Sequence, residues 1–102
     1  MIVNICGTPH EVIEQKETFE GENSTCGQID YKRCKIYINE DMSQDMKNET
    51  LCHEMLHGML VHHGYNDMAE NEQFVQSLAC AINQGFLVKP WSSECNGMDM
   101  MI

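Results

Sequence analysis

Thr50-Leu51-Cys52-His53-Glu54-Met55-Leu56-His57-Gly58 is the stretch on which the reading of this chain turns. Its apolar residues recur at helical spacing. At about 100° per residue, Leu51, Cys52, Met55, Leu56, Met59 and Leu60 share one broad arc of a helix. His53 and His57 fall together on the other side, with Glu54 beside them. Two histidines at i and i+4 can present both imidazoles to one metal ion. The intervening glutamate is then placed to take the proton of a water on that metal, which is the chemistry of zinc-dependent peptide hydrolysis. The blander reading is a pair of surface histidines on an amphipathic helix. Three features count against it: the helix is long and well started, the histidines lie off the apolar arc, and the glutamate occupies the position the chemistry requires.

The helix has legible ends. Ser43 is a plausible N-cap, with Asp45 in the first turn where the helix dipole favours negative charge, and Gly64 reads as the stop. Upstream the pattern is β-like. Ile2 to Cys6 and Glu11 to Gln15 are short runs around a Gly7-Thr8-Pro9 turn, and a polar loop follows from Glu17 to Thr25. Gly27 to Tyr31 and Cys34 to Asn39 read as two arms of a hairpin about Lys32-Arg33, which sets Asp30 opposite Lys35 as a cross-strand charge pair. Downstream, Asp67 with Glu70 resembles a capping box. The helix after it buries Phe74, Val75, Leu78, Ala81, Ile82 and Phe86, turns Glu72, Gln73, Gln76, Asn83 and Gln84 outward, and ends at Lys89-Pro90. Trp91 to Ile102 has no period and reads as a tail, with Trp91 able to dock on the core. Residues 1–90 thus form one α+β domain, a small antiparallel or mixed sheet packed on two helices, and residues 91–102 a tail.

Composition narrows the class. A chain of 102 residues is one domain with a modest core. Sixteen acidic residues against six basic ones give a formal charge of −10, whereas nucleic-acid binders carry a basic patch. No segment approaches membrane-spanning length, and the start of the chain lacks the features of a signal peptide. The expected location is cytoplasmic, with no nucleic-acid or membrane partner. The six cysteines form no C-x-x-C pair and read as reduced thiols, with Cys52 and Cys80 as small buried residues of the helices.

A catalytic zinc takes three protein ligands and leaves a fourth position to water. His62 and His63 point away from the His53–His57 side if the helix continues to them, and as polar residues at a helix C-terminus they suit its dipole. Glu72, on the second helix, completes a His₂Glu set. Glu70 and His63 remain the alternatives. Tyr65 and His10 are the candidate donors to a tetrahedral oxyanion.

Short strands, a His53-Glu54-Met55-Leu56-His57 helix and a Glu72-x-x-Val75-x-x-Leu78-Ala79 helix resemble the ImmA/IrrE-type metallopeptidases, most closely the short phage- and prophage-encoded members. The resemblance covers about residues 2–86. It implies a minimal zincin-like fold, zinc held by His53, His57 and Glu72, Glu54 as general base, and a protein substrate such as a repressor of a mobile element. The Glu-Ala-Asn run common in that family's third-ligand helix is not present as such. Residues 57–67 are also similar to the H-G-x-L-H-L-x-G-Y-D-H signature of single-metal bacterial endoribonucleases, but Val61 and Asp67 occupy two of its ligand positions. The function expected is therefore a zinc metallopeptidase. The alternative is a non-catalytic zinc-containing module that binds a host or phage protein.

Overall fold

The structure, a computed structural model, describes residues 1–16 and 26–85. It is a small mixed α+β fold. Four strands, β1 (Ile2–Ile5), β2 (Thr8–Gln15), β3 (Gly27–Asp30) and β4 (Lys35–Asn39), precede three helices, α1 (Gln44–His62), α2 (Asn66–Ala69) and α3 (Glu72–Gly85). The sheet order is β1-β2-β4-β3. The two hairpins pair antiparallel, and β2 and β4 join them in parallel.

The first turn lies one residue earlier than the sequence suggested. Cys6 and Gly7 both have positive φ, 51° and 86°, as the two-residue turn that matches strand twist requires. Thr8 and Pro9 belong to β2. The Val12 N–H bonds the Met1 carbonyl at 2.8 Å, so the antiparallel alternation leaves Pro9, opposite Asn4, at a position without a ladder bond to β1. Pairing of β2 with β4 begins only at Glu11. The missing proline N–H therefore costs no bond on either side.

The second hairpin has the expected register, with Asp30 opposite Lys35. Its charges pair elsewhere. Asp30 accepts from the backbone of Lys32 and Arg33 and from the Arg33 guanidinium, in a tight turn of its own. Lys35 meets Glu11 on β2 at 3.5 Å.

Helix α1 is the centre of the molecule. Ser43 Oγ accepts from the Met46 N–H at 3.2 Å and caps its start. Lys47 reaches Glu14 of β2 at 2.8 Å, tying that start to the sheet. At the other end the Tyr65 and Gly64 N–H groups bond the Leu60 and Val61 carbonyls, with Gly64 at φ 85°, a Schellman stop. No residue from Thr50 to Val61 is exposed. The apolar arc divides between two layers. Leu51, Met55 and Met59 cover the sheet core of Ile5, Ile36 and Ile38, and Cys52, Leu56, Met59 and Leu60 meet Val75 and Ala79 of α3. His53, Glu54 and His57 occupy the remaining side.

The start of the last helix differs from expectation. Asp67 lies inside the one-turn α2, and the helical path is interrupted at Glu70-Asn71 before α3 begins. The cap of α3 is Asn71, whose Oδ1 accepts from the Phe74 N–H at 3.0 Å. Ala79 takes the fully buried place expected of Ala81, which is exposed. The Glu17–Thr25 loop, Phe86, Lys89-Pro90 and the tail with Trp91 lie outside the described residues. So does Cys95. Among the described residues no helix is long and apolar enough to cross a membrane. Cys6, Cys34, Cys52 and Cys80 are free thiols, and Cys80 is exposed rather than buried.

Candidate metal centre

Helices α1 and α3 run in opposite directions, and each offers a row of side chains at i, i+4 and i+8: Glu49, His53 and His57 on one, Glu72, Gln76 and Cys80 on the other. Neighbours in such a row lie on one helix face. The rows interlock. His53 Nε2 is 3.0 Å from Glu72 Oε1, His57 Nε2 is 3.2 Å from the same oxygen, and the two Nε2 atoms are 3.1 Å apart. Higher along the rows, His53 Nδ1 meets Gln76 Oε1 at 2.6 Å, and the Gln76 amide donates to Glu49 Oε2 at 2.5 Å.

The triangle of His53 Nε2, His57 Nε2 and Glu72 Oε1 suits a small divalent cation. A tetrahedral zinc with bonds of about 2.0–2.2 Å separates its ligand atoms by roughly 3.3–3.5 Å. The observed edges lie a few tenths of an ångström inside that. Three lone-pair atoms so close repel one another unless a proton or a cation lies between them. His53, His57 and Glu72 form a group able to hold a metal ion. Among the described residues no fourth His, Cys, Asp or Glu joins the group; an ion held tetrahedrally by these three would keep its fourth position for another ligand such as water.

The alternatives for the third ligand lie elsewhere. Glu70 caps α2 from the far side of that interruption. His62 and His63 are exposed at the C-terminal end of α1. Tyr65 is 57% exposed and borders neither cavity. His10 is buried on β2 with its Nδ1 on the Thr8 carbonyl.

The triangle opens on a cleft of about 700 Å³ between the β3 edge and the two helices. Glu54 lines this cleft and is only 7% exposed. Burial pushes its carboxyl up to about 7; the neighbouring His53 opposes the shift and the Glu72 charge adds to it. Tyr31, in the β3–β4 turn, borders this cleft and a smaller one on the far side of His57 and Glu72. Burial, then the charges of Glu54 and Glu72, raise its phenol above the ordinary value, which keeps it a hydrogen-bond donor.

The sequence alone does not single out Gln76, Glu49 or Tyr31 at this centre. Its pattern turns Gln76 to the outer face of its helix, but the residue is half-buried against His53 and Glu49. Its signal was the i+4 spacing from Glu72. Tyr31 had no local signal, because only the sheet order brings the hairpin turn over the helix. No known family, curated protein or solved structure matches the chain.

Proposed function

We propose that the protein is a zinc-dependent metallopeptidase of minimal zincin-like fold, acting on a protein or peptide substrate. The observation that carries this reading is the triangle of His53 Nε2, His57 Nε2 and Glu72 Oε1 beside a buried carboxyl raised to about 7. What supports the reading further is the resemblance of the His53–His57 helix and the Glu72 helix to ImmA/IrrE-type enzymes, on a small mixed α+β fold.

His53, His57 and Glu72 would hold the ion. A zinc bound by such a set polarises a scissile carbonyl and makes water a ready nucleophile near neutral pH. Glu54 lies outside the triangle and is free to move protons. With a carboxyl near 7 it accepts the proton of the attacking water and returns it to the leaving amine, since a general base works best when its pKa is close to the working pH. Tyr31 donates from the cleft wall to the oxygen of the tetrahedral species. The cleft volume lies within the usual range for bound ligands, about 300–1,000 Å³.

The test begins with untagged protein purified without added metal. About one zinc per chain is expected by mass spectrometry, none in a His53→Ala, His57→Ala double variant, and full zinc in Glu54→Gln. Undiminished zinc in the double variant removes the metal centre. Zinc-loaded wild type that cleaves nothing in a quenched fluorescent peptide library removes the catalytic reading and leaves the non-catalytic binding module.

A further inference from the structure

We infer that Glu49 and Gln76 form a positioning relay that sets the tautomer of His53, so that its Nε2 carries a lone pair toward the His57–Glu72 oxygen-and-nitrogen pocket. The inference rests on the metal-centre reading but concerns residues that bind no ion. It begins with an ambiguity in every glutamine, whose amide oxygen and nitrogen occupy similar positions. Here the neighbours decide. The group facing Glu49 Oε2 at 2.5 Å must be the donor, because an ionised carboxylate only accepts. The second hydrogen of the same nitrogen faces Cys80 Sγ at 3.3 Å, and the Cys80 thiol in turn donates to Glu49 at 3.5 Å. The amide of Gln76 is therefore held from its nitrogen side.

Its oxygen is then committed to His53 Nδ1 at 2.6 Å. A carbonyl oxygen only accepts, so Nδ1 carries the hydrogen. A neutral imidazole has one N–H, and Nε2 is left with its lone pair on the side where Glu72 and His57 converge. The opposite tautomer would set two acceptors against each other at 2.6 Å. At Nε2 the Glu72 oxygen, 3.0 Å away, also only accepts, so with Nδ1 protonated the gap there calls for a cation, or for a second proton when no ion is bound. A histidine ligand whose other nitrogen donates to an oxygen is fixed in orientation and made a better base.

The relay also explains why the two helix rows continue past the triangle. His57 and His53 meet Glu72, His53 meets Gln76, and Gln76 and Cys80 meet Glu49. The last three residues add no ligand. They define a hydrogen-bond direction that ends on a ligand.

Two measurements test the relay separately from the metal. In metal-free Glu72→Ala, where no carboxylate competes for a proton at Nε2, nitrogen NMR at a pH where histidines are neutral should show His53 protonated at Nδ1. With Gln76→Leu added it should become a mixture of both tautomers. Zinc affinity by chelator competition should fall about 10–100-fold in Gln76→Leu. Gln76→Glu alone sets carboxylate against carboxylate and should also bind more weakly. Adding Glu49→Gln to it restores donor and acceptor in the same direction, and should bring both tautomer and affinity back to near wild type. That exchange covers the case in which Gln76→Leu fails to fold. His53 protonated at Nε2 in metal-free Glu72→Ala, or an exchange no better than Gln76→Glu alone, overturns the inference. Absence of zinc binding in every protein that keeps Glu72, with His53 still protonated at Nδ1 in Glu72→Ala, removes the metal centre and leaves the relay standing.

Discussion

Gly58 of α1 lies directly against Ile5 of β1: a Cβ at position 58 would stand 2.9 Å from Ile5 Cδ1 and 3.2 Å from Ile29 Cδ1. This contact brings α1 close to the sheet one residue after His57. It thereby places His57 and Glu54 level with the β3 edge that forms the cleft wall. Gly58→Ala should gain about 1 kcal/mol of helix propensity. Against that, overpacking costs about 1–3 kcal/mol, and the atoms that must give way, Ile5 Cδ1 and Cγ2, belong to a fully buried side chain. The expected outcome is net destabilisation of about 1 kcal/mol, read as a lower midpoint in urea unfolding with unchanged slope. A Gly58→Ala protein more stable than wild type would show that α1 can lift from the sheet at no cost.

What could be read in advance follows the range of the interactions involved. The Ser43 cap, the Gly64 stop and the hairpin register depend on residues a few positions apart, and these were legible. So was the pairing of His53 with His57, which one helix turn determines. Helix phase favours Glu72 but leaves Glu70 and His63 open, and the structure brings Glu72 to both histidines across the α1–α3 contact. The break at Glu70-Asn71 was missed because Asp67 and Glu70 imitate a capping box, while the true cap, Asn71, has no glutamate three residues on. The parallel pairing of β2 with β4, and with it the placement of Tyr31, depends on the order of strands in space. Local pattern does not carry that order.

Metal-free protein should lose stability as pH rises, and Glu54 should be a principal cause. Its folded-state carboxyl is raised to about 7 from an ordinary 4.5. The contribution is fully present below the unfolded value and is lost as pH rises through the folded one. At about 1.4 kcal/mol for each tenfold change, the loss is of order 3 kcal/mol between pH about 4.5 and about 7. Glu54→Gln removes it. In the presence of a chelator the variant should gain on wild type between pH 5 and pH 8. A stability difference that does not change with pH would mean that burial leaves the Glu54 carboxyl at its ordinary value.

On the proposed function, Tyr31→Phe should separate catalysis from metal binding. The phenol borders the cleft beside His57 and Glu72 but is not part of the ligand triangle. Its loss should leave zinc content and affinity unchanged and lower kcat by about 10²–10³, the usual effect of removing one oxyanion donor. Tyr65→Phe, altering an exposed ring away from both cavities, should leave zinc affinity and kcat alike unchanged. Equal losses in the two variants would argue that Tyr31 is only part of the cleft wall.

Asn71 and Glu72 should differ sharply when replaced, although they are adjacent. Asn71 ends the break before α3 and bonds the Phe74 N–H. Asn71→Ala should cost about 0.5–2 kcal/mol of stability. Because Glu72 is the first residue of the helix so capped, zinc affinity should weaken modestly alongside. Glu72→Ala removes an exposed carboxylate, so folding should change little, while zinc affinity by chelator competition should collapse. Glu70→Ala and His63→Ala should resemble wild type on both scales, since neither side chain belongs to the group around His53 and His57. If His63→Ala lost zinc and Glu72→Ala kept it, the ion would be held by three histidines. Helix α1 would then have to unwind before His63, against the hydrogen bond from the His63 N–H to the Met59 carbonyl at 3.1 Å.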